Sequence, residues 1–406
     1  MSELSYLEKL LDGVGVEVEW LPLGEVSALR RGRVMSKGYL TENFGPYPVY
    51  SSQTANNGKI GSINTFDFDG EYISWTTDGA NAGTMFYRTG KFSITNVCGL
   101  ITLKSKYSLI YKFLFYWLTI EAKKHVYSGM GNPKLMSHQV ENIPVPIPCP
   151  DNPEKSLAIQ SEIVRILDTF SALTAELTAE LNMRKKQYNY YRDQLLSFNT
   201  EDVPHLPMGQ KDIGEFIRGG TFQKKDFIDA GVGCIHYGQI YTYYGTYTEK
   251  TKTYISTALA KKCKKAQKGD LIIATTSEND EDVCKAVAWL GSEDIAVSSD
   301  ACIYKHNLNP KYVSYFFQTE QFQNQKRQYI TGAKVRRVNA DNLSKILIPV
   351  PSMEIQERIV SILDKFDTLT NSITEGLPRE IELRQKQYEY YRDLLFSFPK
   401  PETASN

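Results

Sequence analysis

Two stretches of the 406-residue chain place apolar residues at spacings of mostly three and four over a long distance. The first stretch has them at Ile159, Ile163, Ile166, Phe170, Leu173, Leu177, Leu181, Tyr188, Tyr191 and Leu195. The second has them at Ile355, Ile359, Ile362, Phe366, Leu369, Ile373, Ile381, Tyr388, Tyr391 and Leu395. This spacing lines one face of a helix, and over such a length it favours a coiled coil. We therefore predict two long helical regions, each about 60 Å for roughly forty residues, whose apolar faces can pack together.

The two helical stretches are also copies of each other. The letters IQSEIVRILDTFSALT at 159–174 match IQERIVSILDKFDTLT at 355–370, and RKKQYNYYRDQLLSF at 184–198 matches RQKQYEYYRDLLFSF at 384–398. A proline-spaced strand, IPVPIP or IPVPS, precedes each copy. The second copy has four extra residues, near which Pro378 is expected to interrupt or restart the helix, whereas the first contains the tandem TAELTAEL at 174–181. The chain is therefore a duplication of a variable block followed by a helical block.

The variable blocks contain short strand-like runs, such as EYISWTT and DLIIATT, and aromatic-rich segments typical of buried helices. We predict a mixed α/β fold in which two pseudo-repeated domains are separated and joined by two long helical regions, paired as an antiparallel coiled coil with pseudo-twofold symmetry. The predicted boundaries are 1–150 for the first variable domain, 151–200 for the central helical region, 201–352 for the second variable domain and 353–406 for the C-terminal helical region. A short amphipathic helix is predicted at residues 2–12.

Composition restricts the class of protein. Lys+Arg and Asp+Glu both number 47, so the net charge is zero and gives no global argument for a nucleic-acid or membrane partner. The six cysteines are scattered without a C-x-x-C pair, which suits inert thiols in a reducing cytosol. The N-terminus lacks the pattern of a signal peptide, and the most apolar run is too short to span a bilayer. We therefore expect a cytoplasmic protein.

Catalytic motifs are missing from the sequence. It contains no G-x-x-x-x-G-K-[ST] phosphate loop and no G-x-G-x-x-G, and its five histidines show no metal-ligand spacing. The acids of DNPEK at 151–155 precede a helical block, where negative charge stabilises the N-terminus of a helix. We expect a chain with no catalytic residue, no metal ligand and no cofactor of its own.

Local basic and polar segments point to nucleic acid. Residues 250–268 hold seven lysines and no acid, and residues 321–340 hold five basic residues and no acid. Lys and Arg anchor phosphates, and Arg, Asn and Gln hydrogen-bond to base edges. The alternative, ordinary solvated loops, applies to any single segment, but RRGR and RGGTFQKKDF occupy one equivalent position in the two blocks, and GMGNPK and TGAKVRR another. The candidate DNA-binding residues are Arg30, Arg31, Arg33, Ser52, Gln53, Asn56, Asn57, Lys59, Thr76, Thr77, Asn132, Lys134, Arg218, Thr221, Gln223, Lys224, Tyr237, Gln239, Thr275, Thr276, Lys334, Arg336 and Arg337.

The repeated QYxYYRD segment carries more aromatic surface than two facing helices can bury. Tyrosine and arginine are enriched at the energetic centres of protein interfaces, so duplication suggests one docking surface per half for an identical partner. The alternative is a helix end that packs on its own domain. The candidate docking residues are Tyr188, Tyr190, Tyr191, Arg192, Phe198, Tyr388, Tyr390, Tyr391, Arg392 and Phe398.

Three features carry a resemblance to a known family: IPVPIP leading to IQSEIVRILD, IPVPS leading to IQERIVSILD, and the paired QYxYYRD segments. Over essentially its whole length, the sequence resembles the specificity (S) subunit of type I restriction-modification systems, particularly the IC subfamily. The resemblance implies a non-catalytic subunit in which each target-recognition domain reads one half of a split DNA target and the helices set the spacer. It also implies two modification subunits, which are adenine-N6 methyltransferases, and two restriction subunits. S-adenosylmethionine, ATP and Mg²⁺ would then be bound by those partners, and the N-terminal helix would pack near the C-terminal one.

Two other functions remain open from the residues alone. The main alternative is a coiled-coil scaffold that joins two protein-binding domains without contacting DNA. Steep salt dependence of DNA binding would argue against it, because phosphate contacts release counterions. The second alternative is an enzyme with an unrecognised site in a variable block, which alanine replacement of the acids and histidines there would test.

Overall fold

The computed structural model describes residues 17–129 and 131–399. The helix predicted at residues 2–12 lies outside the described residues. The chain divides into two compact units, one formed by Met1–Ala175 with Leu383–Asn406 and the other by Glu176–Glu382. We call them unit 1 and unit 2. Among the described helices, none is both long enough and apolar enough to cross a membrane.

Unit 1 is built on a six-stranded sheet with the strand order β2-β7-β5-β6-β3-β4, next to a two-stranded sheet of β1 and β8. Its strands are β1 Val18–Pro22, β2 Ser27–Arg31, β3 Phe44–Tyr50, β4 Lys59–Ile63, β5 Phe68–Thr76, β6 Met85–Ile94, β7 Cys98–Leu103 and β8 Pro144–Pro148. Its short helices are α1 Leu23–Val26, α2 Lys37–Glu42, α3 Tyr111–Glu121 and α4 Ser137–Val140. The apolar residues of α3, including Phe113 and Trp117, are buried against the sheet. The proline-spaced segment forms β8, in which Val145 and Ile147 are buried.

Unit 2 contains a five-stranded sheet with the order β10-β19-β15-β17-β12, a four-stranded sheet with the order β13-β11-β18-β14, and two small two-stranded sheets. Its strands are β9 His205–Pro207, β10 Gly214–Arg218, β11 Val232–Ile235, β12 Tyr247–Thr248, β13 Thr253–Ile255, β14 Lys265–Ala266, β15 Leu271–Ala274, β16 Thr276–Ser277, β17 Ala286–Trp289, β18 Ile295–Val297, β19 Ala301–His306, β20 Arg336–Arg337 and β21 Leu347–Pro349. Its short helices are α6 Tyr237–Thr242, α7 Thr257–Ala260, α8 Pro310–Phe316, α9 Glu320–Arg327 and α10 Ala340–Leu343. The second variable block is thus mixed α/β, as predicted.

The two helical regions form where the apolar periodicity predicts them. The first is a single helix of 43 residues, α5 Pro153–Leu195. The second is two helices, α11 Met353–Asn371 and α12 Gly376–Leu395. Gly376 has a φ of +80°, and Pro378 falls in the first turn of α12, where a missing N–H costs no helical hydrogen bond. Ile373, predicted to lie on the apolar face, falls in the break between the helices and is 79% exposed.

Each unit combines one copy of the IQ…ILD motif with the QYxYYRD copy of the other repeat. In unit 1, Ile163 of α5 shares an apolar cluster with Phe396, which follows α12. In unit 2, Leu363 of α11 shares a cluster with Tyr188, from the end of α5. The same sequence is therefore needed twice, because each copy completes the core of the unit that holds the other repeat's variable domain.

The aspartate and the glutamine of each IQ…ILD motif bond to a helix in the variable domain of the same repeat, α3 in unit 1 and α8 in unit 2. In unit 1, Asp168 accepts hydrogen bonds from Lys112 Nζ and Tyr116 Oη of α3, both at 2.6 Å. In unit 2, Asp364 accepts equivalent bonds from Lys311 Nζ at 2.7 Å and Tyr315 Oη at 2.6 Å, both from α8. We call these two contacts the lysine–aspartate–tyrosine clamps.

The glutamines of the two motifs are also equivalent. Gln160 is fully buried and Gln356 is 2% exposed. Their Oε1 atoms accept hydrogen bonds at 2.9 Å from the backbone N–H of Ile110 and Asn309, at the start of α3 and α8 respectively. Because a buried amide must be satisfied, these bonds fix where each variable domain meets its helix.

Candidate nucleic-acid interface

In unit 1, four loops meet at the turn between β6 and β7, residues 95–97. The backbone of Arg33, just after β2, accepts a hydrogen bond from Asn96 N at 3.1 Å. Thr95 Oγ1 donates to Ser51 Oγ at 2.9 Å, and Thr77 Oγ1 donates to the carbonyl of Val97 at 2.9 Å. The backbone of Thr77 in turn accepts from Leu135 N at 2.9 Å. We call residues 30–33, 51–59, 76–78 and 131–135, with this turn, loop cluster 1.

In unit 2, an equivalent arrangement surrounds the turn between β18 and β19, residues 298–300. Arg218 Nε donates to the carbonyl of Ser299 at 3.3 Å, and the N–H of Tyr237 donates to Ser298 Oγ at 2.9 Å. Thr275 Oγ1 donates to the carbonyl of Asp300 at 3.0 Å. We call residues 218–224, 236–239, 275–277 and 331–337, with this turn, loop cluster 2.

One glycine in the first loop of each cluster, Gly32 in cluster 1 and Gly219 in cluster 2, lets that loop approach the central turn closely. A Cβ on Gly32 would lie 2.1 Å from the carbonyl oxygen of Ile94, and one on Gly219 would lie 2.1 Å from that of Ser298. Backbone atoms cannot yield at that distance, so only glycine fits. Gly32 and Gly219 also donate to the matching carbonyls of Cys98 and Ala301. The RRGR and RGG segments therefore occupy equivalent positions, as the sequence predicts.

The last loop of each cluster carries an equivalent basic residue. Lys134 exchanges two backbone hydrogen bonds with Tyr127, at 2.9 and 3.0 Å, and Arg337 exchanges two with Thr331, both at 2.9 Å. Both basic side chains are exposed. The predicted equivalence of GMGNPK and TGAKVRR is confirmed for these two positions.

Most of the other candidates are exposed around the two turns. In cluster 1 the exposed candidates are Arg30, Arg31, Arg33, Gln53, Asn56, Asn57, Asn132 and Lys134, and Ser52 and Lys59 are half-buried. In cluster 2 they are Arg218, Thr221, Gln223, Lys224, Lys334 and Arg337, and Tyr237, Thr275, Thr276 and Arg336 are half-buried. Each domain thus gathers its polar and basic candidates at one group of loops.

Two arginines of the candidate set already have acidic partners. Arg33 Nε lies 3.0 Å from Asp67, and its Nη1 donates to Tyr39 Oη at 3.2 Å. The hydrogen bond to Tyr39 and the contact with Asp67 together raise the pKa of Arg33 despite its partial burial. Arg336 Nε lies 2.7 Å from an Asp280 oxygen. Exposed ion pairs of this kind are weak, so both guanidinium groups can exchange their carboxylate for a phosphate.

Three candidates are corrected by their burial. Thr76 and Thr77 are fully buried, and their hydroxyl groups bond to the carbonyls of Asn81 and Val97. Gln239 is 8% exposed, and its amide bonds to His236 N and Thr253 Oγ1. These side chains hold the loops together and do not face a ligand. This burial could not be predicted from the sequence, because threonine and glutamine in polar segments are ordinarily exposed.

The sequence analysis missed two positions at the centre of the clusters. Asn96 is exposed on the turn of cluster 1, and Ser299 occupies the same position of the turn in cluster 2. The segments SITNVCGL and AVSSDACI both begin at the end of a strand, β6 or β18, and continue through the turn, so aligning the two repeats could have found both positions.

The lysine-rich segment 250–268 borders loop cluster 2. A Cβ on Gly220 would lie 2.6 Å from Cys263 Sγ, so the turn after α7 packs directly on the first loop of the cluster. Lys261, Lys262 and Lys264 flank Cys263 and are exposed. Positive charge therefore lies beside the cluster.

Several candidate docking residues are internal, which corrects the docking prediction for them. Tyr188, Arg192 and Phe398 are 4%, 8% and 6% exposed. Tyr188 donates to Gln318 Oε1 at 3.2 Å, Phe198 packs on the same core, and Tyr388, with Arg392 over its ring, packs near Tyr116. The aromatic rings that remain exposed are Tyr190 at 61%, Tyr191 at 45% and Tyr390 at 65%, whereas Tyr391 stacks on Phe170 at 5.3 Å.

Potential metal ligands and nucleophilic thiols were compared over the described residues. Within the described ranges, no three His, Cys, Asp or Glu side chains converge in a way that could hold a metal ion. The buried thiols of Cys284 and Cys98 have pKa values raised by burial to about 12 and about 11. Thiols with such pKa values are poor nucleophiles at neutral pH.

Comparison with known proteins gives a consistent result. A model of the type I restriction modification DNA specificity domain matches residues 15–184 and again residues 207–383. The chain is 41% identical, over 430 residues and 100% of both chains, to the specificity subunit of the Escherichia coli type I restriction enzymes EcoR124I and EcoR124II.

Two solved structures share the fold. The type I restriction-modification S subunit of M. genitalium has a TM-score of 0.52 at 13% identity, covering 96% of this chain and 98% of its own. A chain from a structural study of assembly and conformational transition in a type I restriction-modification system has a TM-score of 0.56 at 13% identity, covering 94% and 99%. At this identity the likeness concerns the fold alone.

Proposed function

This chain belongs to the type I restriction-modification DNA specificity family, and on that premise we propose that each of its two units reads one half of a bipartite DNA target. It is a DNA-recognition subunit without catalytic activity of its own. The observation that carries the proposal is the pair of equivalent loop clusters, each built around one turn and each displaying basic and amide side chains.

The contacts divide by chemistry. Exposed Lys and Arg, such as Lys134 and Arg337, anchor phosphates, whereas exposed amides such as Asn56, Asn57 and Gln223 read base edges. Because the two clusters share their backbone arrangement and differ in their exposed side chains, the two half-sites have different sequences.

The helical regions set the spacer between the half-sites. A helix of 43 residues extends about 65 Å at roughly 1.5 Å per residue. Half-sites read from one face of B-DNA lie about 34 Å, or about 10 base pairs, apart, which helices of this length can span.

The chain assembles with other subunits. In our proposal it binds two adenine-N6 methyltransferase subunits, which carry S-adenosylmethionine, and two restriction subunits, which use ATP and Mg²⁺, in the cytoplasm. The exposed Tyr190 and Tyr390, at equivalent positions of the two QYxYYRD copies, are the docking residues that this proposal retains. Replacing both by alanine should weaken assembly with the methyltransferase in pull-down and mass photometry, whereas Tyr190→Phe and Tyr390→Phe should preserve it.

The decisive experiment maps methylation. The chain is co-expressed with an IC-type modification subunit, and N6-methyladenine is mapped across the host genome by long-read sequencing. We expect one split motif with a fixed spacer. The absence of a motif from a complex that is shown to assemble would overturn the proposal in favour of a protein-binding scaffold.

Matched variants test the two clusters separately. Lys134→Ala should reduce methylation of the target by removing a phosphate contact of loop cluster 1. Arg337→Ala should do the same by removing a phosphate contact of loop cluster 2. Each substitution should reduce the magnitude of the negative slope of log K against log salt by about 0.9, the value for one phosphate contact. If neither variant changes DNA affinity, the clusters are not the interface.

A further inference from the structure

Among the described residues of unit 1, one arginine is buried without a compensating anion. Arg88, on β6, is 3% exposed. Its Nε donates to Ser74 Oγ at 3.0 Å, but its Nη1 is buried and has no hydrogen-bond partner. Within the described part of the chain, no carboxylate forms an ion pair with it or shifts its pKa. An uncompensated buried charge is costly, so this position calls for an explanation.

Two aromatic rings hold the guanidinium group in place. Its Cζ lies 3.6 Å from the centre of the Tyr50 ring and 4.4 Å from that of Phe86. The rings attract the cation through their faces, and a side-chain hydrogen bond with Tyr50 also favours its charged form, but Nη1 remains without an acceptor. Burial lowers the pKa of Arg88 to about 10, so the group keeps its charge at neutral pH.

The fold does not require an arginine at this position. Strand pairing places Arg88 opposite Tyr72 in unit 1, three residues after Met85, which pairs with Trp75. In unit 2, Ala286 pairs with Ile273 at the corresponding place, and three residues later stands Trp289. Trp289 is 2% exposed and belongs to an apolar cluster. The second repeat thus fills the same position with an aromatic residue at no electrostatic cost.

The tip of Arg88 lies directly beneath loop cluster 1. A Cβ on Gly58 would lie 3.0 Å from Arg88 Nη2, and 3.3 Å from the carbonyl oxygen of Ser51. The loop over the guanidinium group holds Asn56 and Asn57 in left-handed conformations, with φ of 51° and 52°. Asparagine tolerates this backbone better than most other non-glycine residues, because its short side chain can hydrogen-bond locally.

We propose that Arg88 is a phosphate-binding residue of the first recognition domain, which takes one DNA phosphate beneath the loop of residues 51–58. This rests on the proposed function, because DNA supplies the anion. The phosphate provides the negative charge and the acceptor oxygens that Nη1 lacks in the free protein, and charge-assisted bonds of this kind are the strong ones. Arg88 thereby joins the exposed basic residues as a phosphate anchor that sequence patterning could not identify, since it lies within a strand.

The test measures salt dependence with the assembled complex of this chain and the methyltransferase. Binding is titrated at several salt concentrations on a duplex containing the mapped target and on a duplex of random sequence. For Arg88→Met, we expect the magnitude of the negative slope of log K against log salt to fall by about 0.9 on both duplexes, with an unchanged methylation motif. Arg88→Lys should restore most of the slope. Arg165→Met, which removes a cation from α5, should leave the slope unchanged.

A second readout excludes a merely structural role. Because no carboxylate among the described residues pairs with Arg88, Arg88→Met should leave hydrogen-exchange protection of β5 and β6 equal or higher. Loss of protection with an unchanged slope would overturn the proposal, and so would failure of both Arg88→Met and Arg88→Gln to fold. If affinity falls for the target duplex alone and the methylation motif loses its specificity at one guanine, Arg88 contacts a base instead of a phosphate. If the wild-type complex itself shows no salt-dependent DNA binding, it is the proposed function that fails.

Discussion

Replacing Asp364 by asparagine should loosen the second variable domain from its helix. Asp364, on α11, accepts hydrogen bonds from Lys311 Nζ at 2.7 Å and Tyr315 Oη at 2.6 Å on α8. Burial, and then the bond to Asp364, raises the pKa of Tyr315, so the phenol remains a donor. Asparagine keeps the shape of aspartate but removes the charge that strengthens both bonds.

The magnitude follows from the charge and the exposure. A hydrogen bond to a charged group contributes about 1.5–3 kcal/mol when buried. The Lys311 and Asp364 side chains are 21% and 27% exposed, so solvent screening reduces the ion-pair share. We expect Asp364→Asn to lower the local stability of α8 by about 2 kcal/mol.

The clamp of unit 1 is the matched comparison. Lys112 and Asp168 make the same contact at 2.6 Å, but their side chains are 36% and 37% exposed. A double-mutant cycle with Lys→Met and Asp→Asn in each unit should therefore give a coupling of about 1 kcal/mol in unit 2 and roughly half of that in unit 1.

Because a chain of two units does not unfold in one step, the assay is native-state hydrogen exchange of the α3 and α8 amides. Equal couplings in both units, or a larger one in unit 1, would refute the use of exposure to rank them. A coupling near zero in both units would show that the buried glutamines and the apolar contacts alone hold the domains. The methylation map adds a functional readout, since a loosened second domain should blur only its own half-site.

Three further outcomes are expected. His306 is half-buried with both ring nitrogens shielded from solvent, and this desolvation lowers its pKa from 6.5 to about 4 although the backbone of Leu308 raises it. Stability is therefore complete above pH 6.5 and falls on acidification, by about 2 kcal/mol at pH 5. His306→Leu should abolish this loss in hydrogen exchange of β19. Gly219→Ala should disrupt loop cluster 2 and weaken DNA binding. Gly245→Ala, where a Cβ meets nothing within 4 Å, should change neither. Normal DNA binding by Gly219→Ala would contradict the close approach of the first loop to the turn. Inserting one more TAEL unit after residue 181 should lengthen the methylated motif's spacer by about one or two base pairs, since four helical residues rise roughly 6 Å, and an unchanged spacer would discredit the helices as its determinant.

The helical regions could be predicted because a periodic apolar face is a strong and local signal. The periodicity alone does not fix which helix end packs on which variable domain. Both copies of QYxYYRD present nearly the same residues, so Tyr188 would match Ile163 of its own repeat as well as it matches Leu363 of the other repeat. The predicted antiparallel pairing selects the second arrangement, and the three-dimensional contacts agree with it.

The lysine–aspartate–tyrosine clamps were not predicted. The sequence analysis counted the apolar residues of IQ…ILD and ignored its glutamine and aspartate. Gln160 and Asp168 are polar residues on a buried or half-buried face, which a hydrophobic pattern treats as noise. Their presence in both copies was the available signal, because a repeated polar residue amid apolar ones indicates a specific hydrogen bond.

The candidate interface was predictable as a set of loops but not residue by residue. Equivalent positions in the two repeats correctly paired the loops that contain Gly32 and Gly219. Whether a given threonine faces solvent or the turn depends on hydrogen bonds formed in three dimensions, as for Thr77 and Val97. Arg88 was not among the predicted candidates, because a basic residue in a strand is ordinarily assigned to the exposed face of the sheet.

The two repeats separate what holds the domain from what differs between the domains. The shared residues, such as Gly32 with Gly219 and Asp168 with Asp364, are close-packed against backbone or engaged in hydrogen bonds. The residues that differ lie on the loops or beneath them, as Arg88 does where the other repeat has Trp289. A domain built in this way can change what its loops contact while its turn, glycine and clamp stay constant. Two copies of one scaffold in a single chain can therefore read two unrelated half-sites.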